Sequence, residues 1–254
     1  MNKPHFVSVQ GAEKQCGVKC IYTNADRLTN KFDELVNIVK HDDISIVAVV
    51  ETLPKDLVYR NIDPNDIKFV LPGYSTVQNN KGRGICLFVK DDMDFTRQPD
   101  YEVFETSIFV KIKTKEDNLT LGVVYKSPSC NVEQTELMLN QIKLTSEKNN
   151  HPNDKLLLLG DFNFPQIDWL NENTPGGEDN TASKFLSVIN DSYLTQLVDQ
   201  NTHFKPGTKP SMIDLAITNN DDLIDHIDYF APIGNSHHLV LSFEIYILIY
   251  HVPL

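Results

Sequence analysis

Four consecutive leucines, Leu156-Leu157-Leu158-Leu159, run directly into Gly160-Asp161-Phe162-Asn163. A run this short, bounded by a lysine and a glycine, reads as a β-strand ending in a turn rather than as a helix. Glycine permits a tight backbone turn there, Asp161 and Asn163 point the same way, and Phe162 between them points into the core. The same grammar recurs along the chain. The strand Val18–Tyr22 delivers Asn24, Ile44–Val50 ends on Glu51, and Leu119–Val124 ends on Tyr125. The strand around Ile213 carries Asp214, and the last strand, Leu239–Ile245, follows Ser236-His237-His238. Polar residues at the ends of rigid strands are where layered α/β folds assemble ligand sites.

The remaining elements fill in around these strands. Leu28, Phe32, Leu35, Val36 and Val39 recur at helical spacing and predict a helix over Arg27–His41. Further helices are expected over Glu133–Lys148, with Leu137, Ile142 and Leu144 among its apolar positions, and over Ala182–Asn190. Strands at Tyr74–Val77, Gly84–Val89, Ser107–Ile112 and Leu119–Tyr125 are joined by turn-forming stretches and read as antiparallel hairpins. Helices between some strands and hairpins between others predict an α/β fold with two mixed sheets covered by helices. No repeat or linker divides the 254 residues. The expectation is a loose segment over 1–16 followed by a single domain over 17–250.

Composition narrows the function. A formal net charge of −12 argues against passive coating of nucleic acid, because phosphate neutralisation supplies most non-specific affinity. It leaves room for an enzyme that gathers carboxylates around a cation. The four cysteines, Cys16, Cys20, Cys86 and Cys130, lack paired zinc-site clustering and are too sparse for a disulfide scaffold. They read as reduced thiols of an intracellular protein. No signal segment opens the chain, and the run Ile245–Tyr250 is far shorter than the roughly 20 residues a membrane span needs. Taken singly, each site candidate has an ordinary explanation: Glu51 as a turn former, Tyr125 as a core tyrosine, Asn24 as a helix cap, His237-His238 as solvated histidines.

Taken together, Asn24, Glu51-Thr52, Tyr125-Lys126-Ser127-Pro128, Gly160-Asp161-Phe162-Asn163, Ser211-Met212-Ile213-Asp214 and Ser236-His237-His238 resemble the endonuclease/exonuclease/phosphatase superfamily, in its order. The wording Tyr22-Thr23-Asn24-Ala25-Asp26 and Ser211–Leu215 further resembles the apurinic-type endonuclease domain of LINE-like non-LTR retrotransposons. The resemblance implies a four-layer α/β sandwich, two mixed sheets packed face to face and flanked by helices, that hydrolyses a phosphodiester with Mg²⁺ or Mn²⁺. It implies Glu51 as main metal ligand, assisted by Asn24. Asp161 orients and deprotonates the attacking water, Asn163 and Tyr125 hold the phosphate, and His238 stabilises its charge with Asp214 fixing the tautomer. Thr202 and Ser236 are implied as substrate contacts.

One departure stands out. The family pattern before the last histidine is Ser-Asp-His, whereas this chain has Ser236-His237-His238. An imidazole near the metal is a poorer Mg²⁺ ligand than a carboxylate and suits softer divalent ions. A weakened or Mn²⁺-shifted nuclease is one expectation; a degenerate, non-catalytic domain is another, and a phosphatase of the same fold a third. Lys81, Arg83, Lys126, Lys205 and Lys209 are candidate phosphate-facing cations, with 203–210 as a hairpin loop near the site. The implied partners are double-stranded DNA and a reverse transcriptase domain of the parent polypeptide, with no membrane, and nuclear action.

Overall fold

A computed structural model describes residues 17–57, 61–115 and 118–247. The segment 1–16, Cys16 and the end of the Ile245–Tyr250 run beyond residue 247 lie outside the described residues. Among the described residues, twelve strands form two six-stranded sheets. Sheet one contains β1 (Gly17–Asn24), β2 (Ile46–Val50), β3 (Tyr74–Asn79), β4 (Ile85–Lys90), β11 (Ile227–Phe230) and β12 (Val240–Tyr246), in the spatial order β11-β12-β1-β2-β4-β3. Sheet two contains β5 (Phe95–Arg97), β6 (Ser107–Lys113), β7 (Asn118–Tyr125), β8 (Asp154–Asp161), β9 (Thr195–Gln196) and β10 (Asp214–Thr218), in the order β5-β6-β7-β8-β10-β9. Each sheet has one parallel pair, β1 with β2 and β7 with β8, and every other pairing is antiparallel.

Parallel pairing requires a crossover, and a helix supplies each: α1 (Phe32–Asp42) between β1 and β2, α2 (Val132–Lys148) between β7 and β8. A third helix, α3 (Thr181–Asp191), packs beside α2. The layers are therefore helix, sheet, sheet, helices: the four-layer α/β sandwich the resemblance implied.

Period-two alternation sorts the strands into these layers. Leu157 and Leu159 pack in the core between the sheets, whereas Leu156 and Leu158 pack outward against α2 and α3. Each fully buried leucine contributes about 1.5–3 kcal/mol, so the four-leucine run fastens both faces of sheet two. Val18, Cys20 and Tyr22 face the sandwich interior from β1, while Ile21 faces α1. The parity extends to the strand ends. Asn24, Tyr125 and Asp161 continue the inward series Cys20-Tyr22, Leu121-Val123 and Leu157-Leu159, so the polar ends meet between the sheets at one edge.

Several element limits differ from the sequence reading for identifiable reasons. The first helix begins at Phe32 rather than Arg27, because the preceding loop is committed elsewhere. The Arg27 and Leu28 amides donate to the Glu51 and Thr52 carbonyls (2.7 and 3.0 Å), and Lys31 Nζ donates to the Ala25 carbonyl (2.6 Å). In α2, Leu137 is exposed, and Met138, Leu139 and Ile142 form the packed face. A capping box between Asn131 and Gln134 starts that helix. Gly160 lies within β8 and does not make a turn: a Cβ there would sit 2.2 Å from the Val124 carbonyl oxygen of β7. Glycine is required by close approach of the two strands. Ser211–Ile213 precede β10, and the short strands β5, β9 and β11 carry too little apolar pattern to be read from sequence.

Candidate active site

A pocket of about 380 Å³ opens at the edge where the inward strand ends converge. Its walls include Glu51, Tyr125, Asp161, Asn163, His237 and His238, together with Arg83 and Lys205. A larger hollow, about 610 Å³ around His151, Tyr193 and Asn219, lies away from these residues and gathers no comparable set of convergent groups.

Asn24 joins the two sheets. Its Nδ2 donates to Glu51 Oε1 (3.1 Å) and to Asp161 Oδ2 (2.9 Å), while its Oδ1 accepts from the Asp26 amide (2.9 Å). Ionised carboxylates only accept, so the amide nitrogen must face them. Asn24 thus does not cap α1; its nitrogen spaces two carboxylates while its oxygen accepts from the Asp26 amide.

Glu51 is presented by a left-handed residue, φ 52°, costly for a non-glycine side chain. Neighbouring hydrogen bonds hold that conformation: Thr52 and Leu53 amides donate to the Gly84 and Arg83 carbonyls. Gly84, at φ 77°, packs against Thr52 and Leu53 where a Cβ would collide. The other carboxylate oxygen of Glu51 pairs with Arg83 (2.9 Å). Arg83 also binds Asp26 (3.0 Å) and the Leu53 carbonyl (3.1 Å), so it is tied to carboxylates rather than standing as a free phosphate-facing cation.

On the sheet-two side, Asp214 Oδ2 lies 2.7 Å from His238 Nδ1, and the Tyr22 hydroxyl donates to Asp214 Oδ1 (2.9 Å). Thr202 Oγ1 accepts from the Ile213 and Asp214 amides (3.3 and 3.1 Å). Asp161, Asp214 and His238 offer ligand atoms within 4.8 Å of one another, a group capable of holding a metal ion. Because Nδ1 of His238 is already paired with Asp214, the ring's Nε2 is the nitrogen left for the pocket.

The electrostatics follow from burial. Loss of hydration, with repulsion from Asp214 and Glu51, pushes the Asp161 carboxyl well above the usual carboxylate range. Burial disfavours a charged His238, but the attached Asp214 more than offsets it and holds the imidazole up at about 9. Burial and the nearby carboxylates of Glu51 and Asp161 raise the Tyr125 phenol, so it stays a neutral hydroxyl.

Other expected contacts fall differently. Thr202 is fully buried and braces the Asp214 backbone instead of facing substrate. The Ser236 hydroxyl is spent on the Asn24 carbonyl (2.6 Å). Lys126 is buried, its ammonium 4.5 Å from the Phe164 ring centroid, and burial lowers its pKa. Asn163, at φ 50°, donates its amide to the Lys126 carbonyl (2.8 Å). Lys205 reaches the pocket, and Lys209 sits exposed on the hairpin loop closed by His203 and Ser211. His237 lines the pocket without joining the acid–histidine cluster. His237 and His238 precede β12 rather than alternating on a strand, so both can face the pocket. Tyr22, Asp26, Lys55 and His203 were not singled out from sequence, although the parity of β1 places Tyr22 two residues before Asn24 on the same face.

Comparison with known proteins bears on this geometry. A family model described as endonuclease-reverse transcriptase matches residues 119–242. Among solved structures, the endonuclease domain of TRAS1, a telomere-specific non-LTR retrotransposon, superposes with a TM-score of 0.68 at 19% identity. The match covers 91% of this chain and 98% of that one. The chain has the endonuclease/exonuclease/phosphatase fold, and its resemblance to retrotransposon endonucleases holds. An AP endonuclease from Leishmania major gives a TM-score of 0.67 at 12% identity, covering 92% and 88% of the two chains. The catalytic domain of Xenopus laevis APE2 gives 0.65 at 13%, covering 93% and 94%. No curated protein sequence matches. Among the described residues no helix is long and apolar enough to cross a membrane.

Proposed function

We propose that this chain is a divalent-cation-dependent DNA endonuclease that nicks a strand and leaves a 3′-hydroxyl. The observation that carries the reading is the convergence of Glu51 and Asp161 on one Asn24 amide, beside the Asp214–His238 pair, in one pocket. The donor set fits a hard cation. Three carboxylates crowd a buried site, and the upward shift of Asp161 marks a deficit of positive charge there. Glu51 would hold the ion, leaving Asp161 beside it as the base. A divalent cation bound there would screen the scissile phosphate, lower the pKa of Asp161 and stabilise the leaving oxygen.

The chain's own groups supply the rest. Asp161 accepts the proton of the water that attacks phosphorus, a role suited to a carboxylate shifted toward neutrality. The imidazolium of His238, held by Asp214, donates from Nε2 to a non-bridging phosphate oxygen. The Tyr125 hydroxyl, kept protonated, is positioned at the same wall. As the P–O3′ bond breaks, the 3′-oxygen takes up a proton from solvent water, and Asp161 returns its own to solvent. Lys205 and the hairpin loop 203–210 offer local contact to DNA despite the acidic balance.

The retrotransposon resemblance supports a nick that primes reverse transcription in the nucleus, by a polymerase domain of a longer parent polypeptide of which 17–250 is the endonuclease domain. A second reading, weakened activity, is favoured by the Arg83–Glu51 pair and by His237 where a carboxylate is expected. Plasmid nicking with and without Mg²⁺ or Mn²⁺, alongside Glu51→Ala, tests both. Cation-dependent nicking that Glu51→Ala removes supports the reading; cation-independent or absent nicking sinks it.

A further inference from the structure

The Arg83 guanidinium reaches into the acidic pocket from the β3–β4 turn and touches the carboxylate proposed to carry the metal. Its three contacts are separate atoms on separate partners: one terminal nitrogen on Glu51 Oε2, the other on Asp26 Oδ1, and Nε on the Leu53 carbonyl. The arginine side chain is only 14% exposed, so the pair is shielded from the solvent that would make a surface ion pair worth little. Glu51 Oε1 is occupied by Asn24. Both oxygens of Glu51 are therefore engaged before any cation arrives.

We propose that Arg83 is a built-in counter-cation that competes with the divalent ion for Glu51. This rests on the metal reading of the site. Metal entry breaks one contact only. When the Glu51 nitrogen is released, Asp26 and the Leu53 carbonyl keep the guanidinium in place and satisfied, so it is not left as an orphaned buried charge. Asp26 thus serves as the resting partner that lets Arg83 let go. The arrangement offsets the charge of Glu51 alone, and it raises the metal concentration needed for loading. An Arg so held is a positioning residue for the cation, acting through Glu51.

The test compares Mn²⁺ affinity, read as free Mn²⁺ by electron paramagnetic resonance, for the full chain and its Arg83→Gln, Arg83→Lys, Lys55→Gln and Glu51→Gln variants. Arg83→Gln is expected to bind Mn²⁺ about tenfold more tightly, since a competing close charge pair is removed. Lys55→Gln removes the same charge from the pocket wall without touching Glu51, which isolates the long-range field. Its gain is expected to be about twofold at most in screened solution. Arg83→Lys, which cannot hold three partners in a fork, is expected to fall between. It also serves if the glutamine variant folds poorly. In the metal-free state Arg83→Gln is expected to melt lower than the parent, and saturating Mn²⁺ is expected to close that gap. Affinity of Arg83→Gln equal to or below the parent, or no greater than that of Lys55→Gln, would overturn the proposal. Unchanged affinity in Glu51→Gln would overturn it too, by moving the metal elsewhere. Absence of nicking with the affinity gap intact would instead sink the endonuclease reading and leave this inference standing.

Discussion

The two sheets deliver carboxylates to the same pocket, Glu51 after β2 on one side and Asp161 and Asp214 from β8 and β10 on the other, yet that charge is balanced in opposite ways. The sheet-one half pairs Glu51 with a guanidinium that stays charged at any ordinary pH. On the sheet-two half Asp214 meets an imidazole, brought across by the loop before β12 of sheet one, which can lose its charge. One half is therefore suited to admitting or refusing a cation, the other to responding to a proton. The loops differ accordingly: Glu51 sits on a left-handed residue braced by four backbone hydrogen bonds, while Asp161 is the last residue of a regular strand.

Breaking the sheet-two half should hurt most. Asp161→Asn and His238→Ala each remove a group acting at the reacting atoms, and nicking is expected to fall by about 10²–10⁴, the range for general acid–base and charge-stabilising groups. Raising Mn²⁺ should not restore either. Glu51→Gln should fall by about 10²-fold but recover partly at high Mn²⁺, because the loss is in cation binding rather than in chemistry. Single-turnover rates across a Mn²⁺ titration separate the two outcomes, and identical cation dependence in all three variants would erase the division of labour.

Stability offers an intermediate effect. Gly160→Ala places a methyl group 2.2 Å from the Val124 carbonyl oxygen, a backbone atom that cannot swing aside, with the Phe162 ring 3.2 Å away. Overpacking of that kind is expected to cost about 1–3 kcal/mol, read from urea unfolding midpoints. A wild-type midpoint would mean that β7 and β8 separate more easily than their eight-residue parallel register suggests.

Much of this was legible in the chain. The strand ends could be named because apolar runs that stop on Asn, Glu, Tyr or Asp are local patterns, and their alternation is carried by single residues. What escaped was decided by partners distant in sequence. Nothing near Arg83 signals that it meets Glu51 across a turn, and nothing near Tyr22 signals a hydroxyl reaching Asp214 on the other sheet. Thr202, Ser236 and Lys126 were expected at the substrate because of their residue type and place in the motif order. Burial assigns two of them instead to backbone bracing and the third to a phenylalanine face.

The proton response of the sheet-two half has a definite sign. His238 is raised from 6.5 to about 9 in the folded chain. A group raised on folding contributes stability that is fully present below its unfolded pKa and is lost as pH rises through the folded one. Metal-free protein should therefore lose stability between about pH 6.5 and pH 9. Burial and repulsion on Asp161 penalise its ionised form and act in the same direction. His238→Gln should flatten the profile, whereas Arg83→Gln should leave its slope in place while lowering the whole curve. Unfolding midpoints in urea from pH 6 to 9.5, with chelator present, measure it, and an unchanged slope in His238→Gln would assign the proton elsewhere.

The smallest expected effect sits between the two halves, at His237. Its carbonyl accepts from the Phe204 amide (2.8 Å), so the backbone there is fixed by the hairpin loop, and its ring lies 6.4 Å from that of His203. Replacing the ring with a carboxylate leaves that backbone bond intact and adds a hard ligand and a negative charge at the pocket wall. His237→Asp should raise Mg²⁺-dependent nicking by about threefold and lower the Mn²⁺ preference, since imidazole favours the softer ion. The gain is capped because Arg83 still contests Glu51, so Arg83→Gln added to His237→Asp should exceed the sum of the single effects if both act on one cation. Strict additivity would place His237 outside the cation's reach and return it to the loop it anchors.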